Sequence, residues 1–191
     1  MALQPKTKTN LLPLRYSLCV PVPTLYLTLG FPGSGKTRFA LAFAEEQNLA
    51  HLNSDKFRLE MFEQPTYTPE ENGSVFEVMD LIAEELLKMG VSVIYDANFN
   101  RRTYRRAMEK TASRHGAKVI LLWFQTPVDT ALVRIGNRGD GKSKLFRNIS
   151  PQVLHNLRDE LEEPRDDEPC VIIDGAIPYD EQVLALSSHL G

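Results

Sequence analysis

Only two cysteines, Cys19 and Cys170, occur in the 191 residues, which excludes a disulfide framework. Cys170 opens an apolar run and reads as a small buried hydrophobe. No apolar run approaches the roughly 20 residues of a spanning helix, because proline or charge interrupts each one, so no membrane partner is expected. There is no excess of basic charge either. Lys and Arg number 22 against 25 Asp and Glu, a net charge of -3. The surface as a whole therefore does not draw in a polyanion, and nucleic-acid binding would need a local basic patch. Internal repeats and low-complexity tracts are absent. Lys6 and Lys8 precede Leu11 and Leu12, but Pro13 and Arg15 break that stretch, so it is not read as a secretion signal. Together these absences point to the cytoplasm.

What is present fits one domain with a sizeable core. Residues 1–23 carry four prolines and no sustained period, and read as an arm, with Tyr16 to Val20 able to pair as an edge strand. The domain proper is expected over 24–191. Short apolar runs recur at Leu25–Leu29, Ala50–Asn53, Val91–Tyr95, Lys118–Phe124 and Cys170–Asp174. Several lack period-2 alternation, which suits strands buried on both faces. Helical patterns lie between them. Val75, Met79, Ile82 and Leu86 recur at spacings of three or four and end at Gly90, while Ser150-Pro151 makes an N-cap and first turn for Val153, Leu154, Leu157 and Leu161. Such alternation predicts an α/β fold, a parallel sheet with helices on both faces.

Gly30-Phe31-Pro32-Gly33-Ser34-Gly35-Lys36-Thr37 matches the G-x-x-x-x-G-K-[ST] pattern in full, between an apolar strand and a helix bearing Phe39, Ala40 and Phe43. Glycines let the backbone wrap closely enough for successive N–H groups to converge on phosphate oxygens. The helix that follows adds the positive end of its dipole. Gly30, Pro32, Gly33, Ser34, Gly35, Lys36 and Thr37 are therefore expected to cradle ATP, with Lys36 on the β- and γ-phosphates and Thr37 on Mg²⁺.

A second element, Val91 to Asp96, is an apolar strand ending in an acid. Its carboxylate would reach the C-terminal sheet edge, where ligands of such sheets bind, and there hold Mg²⁺ or a metal-bound water. The plainer alternative is that Asp96 caps a turn with Asn98. Phosphoryl transfer also needs a proton acceptor and cations. Ala50–Asn53 leads straight into Ser54-Asp55-Lys56-Phe57-Arg58, whose Asp55 and Arg58 share one helix face. Arg134 and Arg138, at i,i+4, precede a basic stretch with Lys142, Lys144 and Arg147 around Gly139 and Gly141. That stretch suits either a lid over the phosphates at about 138–148 or an exposed loop. Arg101, Arg102, Arg105 and Arg106 span one arc of a helix opposite Tyr104, Ala107, Met108 and Thr111. That arc reads first as a solvated face, with contact to an anionic acceptor as the second reading.

Taken together, GFPGSGKT, SDKFR, VIYDANFNRR and RIGNRG resemble the P-loop kinases related to phage-type polynucleotide 5′-hydroxyl kinases and, more distantly, zeta-type toxins. The resemblance covers about Leu25 to Gly175. It implies a P-loop NTPase three-layer sandwich with a five-stranded sheet of order 2-3-1-4-5. It makes Asp55 the general base and Arg58 the residue that orients the acceptor or its neighbouring phosphate. Asp96 and Asn98 match the D-x-N after the third strand, and Arg138, with Arg134 second, matches the lid arginine on the ATP phosphates. Arg102 is carried as an acceptor-side contact.

The expected activity is transfer of the ATP γ-phosphoryl to a hydroxyl acceptor. A nucleic-acid 5′-end and a small nucleoside-like or sugar metabolite, including the nucleotide sugar of a toxin-like enzyme, stand level as acceptors. The other class is a nucleotide-dependent switch with slow hydrolysis. Asn137-Arg138-Gly139-Asp140 superficially resembles a guanine-reading N-K-x-D but follows a helix rather than a strand, which argues against GTP.

Overall fold

Why the chain layers as it does is visible in its first strand, β1 (Thr24–Leu29), which has five of six residues buried. In a strand, successive side chains point to opposite sheet faces. Leu25, Leu27 and Leu29 join one core with Val75, Met79, Ala83 and Met108. Tyr26 faces the other way, into a second core with Phe39, Phe43, Phe124 and Ile173. A central strand apolar on both sides needs helices on both sides.

The computed structural model describes residues 22–137 and 150–187. The arm expected over 1–23 lies outside them up to residue 21, Tyr16 to Val20 included, and so do Arg138, Lys142, Lys144, Arg147 and the lid expected at about 138–148. After β1 come α1 (Lys36–Gln47), β2 (Ala50–Asn53), α2 (Ser54–Met61), α3 (Pro69–Lys88), β3 (Val93–Asp96) and α4 (Arg102–Arg114). Then follow β4 (Lys118–Gln125), α5 (Val128–Gly136), α6 (Pro151–Asp159), β5 (Cys170–Asp174) and α7 (Tyr179–Ser187). The strands are all parallel and ordered β2-β3-β1-β4-β5. Helices α3 and α4 cover one face, α1 and α7 the other. This is the order and layering expected from the resemblance.

Local chemistry sets the element ends. Thr68 caps α3 by accepting from the Glu71 amide at 3.3 Å, with Pro69 opening the helix. Ser150 caps α6 by accepting from the Val153 amide at 3.3 Å, also ahead of a proline. Each such cap satisfies one N–H of the first helical turn. Among the described residues, no helix is long and apolar enough to cross a membrane.

Helix α4 departs from its expected orientation. Arg105, Met108 and Ala112 are its buried residues, whereas Tyr104 is 57% exposed. Arg105 turns inward because Glu168, in the segment before β5, meets its Nε at 2.6 Å, and the Phe99 carbonyl accepts from Nη1 at 3.0 Å. Arg102 binds Asp167 at 2.8 Å and Glu168 at 3.5 Å, and Arg106 pairs with Glu109 and Asp167. Arg105 is thus buried in an ion pair rather than solvated as its spacing predicts, while Arg102 and Arg106, partly exposed, also pair with acids of the chain ahead of β5 and Arg101 stays exposed.

Candidate active site

The chain leaves β1 at Gly30 and enters α1 at Lys36, and the loop between them closes on itself through Ser34 N–H donating to the Phe31 carbonyl at 3.2 Å. Gly33 and Gly35 have φ of 82° and 104°, a region that L side chains rarely adopt. At Gly33 space is also lacking, since an added Cβ would lie 2.7 Å from the Ala131 carbonyl oxygen of α5. The Lys36 ammonium folds back over the loop and donates to the carbonyls of Gly30 at 2.7 Å and Phe31 at 3.1 Å. Arg134, on α5, brings its guanidinium to the same place, with Nη1 3.6 Å from where a Cβ on Gly35 would sit.

Asp96 ends β3 beside this loop and is 2% exposed. Its Oδ1 accepts from the Thr37 hydroxyl at 3.3 Å. Its Oδ2 is held by Asn53 Nδ2 at 2.5 Å and by His51 Nε2 at 3.2 Å. Sheet register explains the company, since Asn53 sits directly opposite Asp96 and His51 opposite Ile94. Asn53 also caps α2, accepting from the Lys56 amide at 2.8 Å. One side chain therefore fixes both the carboxylate and the helix carrying Asp55. The loop after β3 is pinned from β1, where buried Thr28 donates to the Ala97 carbonyl at 2.8 Å and accepts from its amide at 3.2 Å.

The loop, Thr37, Asn53 and Asp96 line one cleft of about 130 Å³, bounded by Pro32, Gly33, Gly35, Lys36, Thr37, Asn53, Ser54, Asp55, Asp96, Ala97 and Asn98. Ser34 is fully buried behind it, with a hydroxyl lacking a hydrogen-bond partner. Thr37 and Asp96 supply converging oxygen donors, the chemistry that a hard divalent cation such as Mg²⁺ takes. Among the described residues, no group of three or more His, Cys, Asp or Glu could hold a metal. A protein site of one hydroxyl and one carboxylate fits a cation that keeps waters and shares substrate phosphates.

Arg58 is not among the residues lining the cleft. It is 3% exposed, and its guanidinium donates to Glu71 at 2.5 Å and to Asn72 at 2.6 Å, both on α3. The expectation that it reaches an acceptor therefore meets an internal ion pair holding α2 to α3. Arg102 likewise lies in the α4 network with Asp167 and Glu168. Spacing alone missed His51, Asn53, Thr28 and Glu71. Only Asn53 carried a local signal, a capping residue directly before a helix.

Burial pushes the Glu71 carboxyl up, but the Thr66 amide and hydroxyl, Arg58 and the Tyr67 amide outweigh it and hold the group at about 2. A carboxyl lowered on folding contributes stability that is complete above its unfolded value, near 4.3, and is lost as pH falls through the folded value. The melting temperature should therefore drop between about pH 4 and pH 2. Glu71→Gln should be the less stable at pH 7, with the gap closing over that window. A constant gap from pH 7 to pH 2 would remove Glu71 from the acid response.

Fold and cleft together define a P-loop nucleotide-binding domain with the sheet order of a kinase. A family model described as an AAA domain matches residues 25–164, and the chain belongs to that family. Among solved structures, a sugar kinase from Janibacter sp. HTCC2649 is 21% identical, with 89% of this chain and 95% of that one covered and a TM-score of 0.66. The APS kinase of Mycobacterium tuberculosis, solved with AMPPNP and APS, is 17% identical over 89% and 98% of the two chains, with a TM-score of 0.65. The Pnkp1/Rnl/Hen1 RNA repair complex contains a chain 27% identical, with 73% of this chain and 44% of that one covered and a TM-score of 0.62. No curated protein matches the chain.

Proposed function

We propose that this protein is an ATP-dependent kinase that moves the γ-phosphoryl group to a hydroxyl acceptor, either a small nucleoside- or sugar-like metabolite or a nucleic-acid 5′-end. The observation that carries the reading is the meeting of Lys36, Thr37, Asp55 and Asp96 around one cleft. The neighbouring folds agree, since they include a sugar kinase, an APS kinase and an RNA-repair protein.

In this reading the loop amides from Gly33 to Thr37 hold the phosphates, and Lys36 exchanges its carbonyl partners for the β- and γ-phosphate oxygens. Thr37 and Asp96 would hold Mg²⁺, which when bound neutralises charge on the β- and γ-oxygens. Arg134, and Arg138 from beyond the described residues, add positive charge at the phosphates. Asp55 accepts the proton of the acceptor hydroxyl as its oxygen bonds to the γ-phosphorus. The bond from that phosphorus to the bridging oxygen breaks, ADP leaves, and the proton on Asp55 passes to water.

A label-transfer screen with γ-labelled ATP against nucleosides, sugars and 5′-hydroxyl oligonucleotides tests the reaction, and calorimetry with MgATP and MgGTP tests the nucleotide. Lys36→Ala is expected to weaken MgATP by about tenfold or more, through loss of a charge-assisted contact to phosphate. Wild-type protein with no magnesium-dependent affinity for ATP would remove the kinase reading altogether.

A further inference from the structure

Two non-glycine residues have left-handed backbones among those described, Asn48 at φ 54° and Tyr67 at φ 58°. Asn48 is the C-cap of α1, a place where asparagine commonly adopts it. Tyr67 has no such excuse. An aromatic side chain at positive φ is an outlier that persists only where the surroundings over-determine it, and such positions cluster at ligand clamps and active sites.

The surroundings here do over-determine it. Glu71 accepts from the Thr66 amide and hydroxyl, each at 2.7 Å, immediately before Tyr67. Asn72 Nδ2 reaches the Tyr67 carbonyl at 3.5 Å. Arg58 ties Glu71 and Asn72 together and lies under the Tyr67 ring, 4.4 Å from its centroid. The internal pairing of Arg58 thus acquires a purpose: the guanidinium is the base plate on which the ring rests. Asp55 stands one helical turn before Arg58, on the face that borders the phosphate cleft. Partial burial first, and then the negative charge of Asp55, hold the Tyr67 phenol above its usual range, and the Arg58 that carries the ring shares a helix face with Asp55. With Arg58 committed, this corner offers an acceptor an aromatic face and a phenol rather than a guanidinium.

We propose that Tyr67 is the acceptor-positioning residue of this site, its ring packing on the ring face of a neutral sugar or nucleoside whose hydroxyl is thereby presented to Asp55, with Arg58 and Glu71 acting through it. This inference rests on the kinase reading and goes beyond it in naming the residue and the acceptor chemistry.

The test compares wild type, Tyr67→Phe and Tyr67→Ala. Three ringed probes (D-ribose, adenosine and a 5′-hydroxyl dinucleotide) are set against two acyclic ones, glycerol and D-gluconate. MgATP affinity is measured on each protein by calorimetry, and folding by thermal melts. Expected are an acceptor KM raised on the order of ten- to a hundredfold in Tyr67→Ala, with kcat and MgATP affinity changed less than about threefold. Tyr67→Phe, which keeps the ring, should recover most of that loss even if the alanine variant folds poorly. Which ringed probe responds tells sugar from nucleoside and strand end. An unchanged KM in both variants overturns the proposal, and so does a parallel fall in MgATP affinity, which would make Tyr67 merely structural. Wild-type protein that binds MgATP yet phosphorylates no ringed probe overturns it and leaves the kinase reading standing. Absence of MgATP binding fells both.

Discussion

Asp55→Asn is expected to lower phosphoryl transfer by on the order of 10²–10⁴-fold while leaving MgATP affinity within about twofold. The amide has the shape of the carboxylate but no basic oxygen, so it cannot take the acceptor proton. The nucleotide cradle should not notice, since its contacts come from the loop after β1, from Thr37 and from Asp96. Asp55 enters the cleft from α2, which Asn53 caps at 2.8 Å. Because that cap is untouched by the substitution, the helix should keep its place. Single-turnover transfer to the acceptor found in the screen, alongside calorimetry with MgATP, separates the two effects. Transfer at the wild-type rate would strip Asp55 of the base role. A large loss of MgATP affinity would move it to the nucleotide side of the cleft.

Asn53 also shows where sequence reading stops. The phosphate loop was legible because its constraints are local: glycines at fixed spacing, a lysine and a threonine, an apolar strand before and an amphipathic helix after. Asp96 was legible for a similar reason, an acid closing an apolar run. The strand order was not read from periodicity and came from the resemblance, which the sheet bears out. The partners of Asp96 were hidden, because His51 and Asn53 reach it only through the register of β2 on β3. Nothing within 40 residues of either announces that pairing.

Arginine placement failed in the same way. Spacing set Arg105 on a solvated arc, and although it put Arg58 on the face of Asp55, it did not show that the guanidinium turns to Glu71. Both are 3% exposed, because their carboxylate partners, Glu71 and Glu168, lie on other segments. A buried guanidinium needs a partner, since its charge is costly to desolvate alone. Periodicity carries no information about a partner 63 residues away. What a helical wheel reports is the direction of a side chain; which direction is inward depends on where the opposite charge has folded.

Gly175→Ala is the second large effect expected, and it acts on the phosphate loop from behind. Gly175 follows β5 and donates its amide to the Gln125 carbonyl at 2.8 Å. A Cβ added there would overlap the Ser34 carbonyl oxygen and the Thr126 hydroxyl, and those two groups are themselves bonded at 2.9 Å. Neither can swing aside as a flexible side-chain tip could. One is loop backbone, and the other is the short side chain gripping it. The added methyl must displace Ser34, and with it the Gly35 amide, one of the groups proposed to hold phosphate. Overpacking of this kind costs about 1–3 kcal/mol. If the displacement is borne by the loop, MgATP affinity should fall by roughly 5- to 150-fold; if it is borne by β5, the melting temperature should fall instead. Gly73→Ala is the control. Gly73 lies within α3 with nothing near its absent Cβ, so alanine there should stabilise by about 0.5–1 kcal/mol and leave nucleotide binding alone. Gly175→Ala protein that melts and binds MgATP as the wild type does would mean that the loop gives way freely. The packing of Gly175 against Ser34 and Thr126 would then have no part in holding the loop in place for the proposed phosphate contacts.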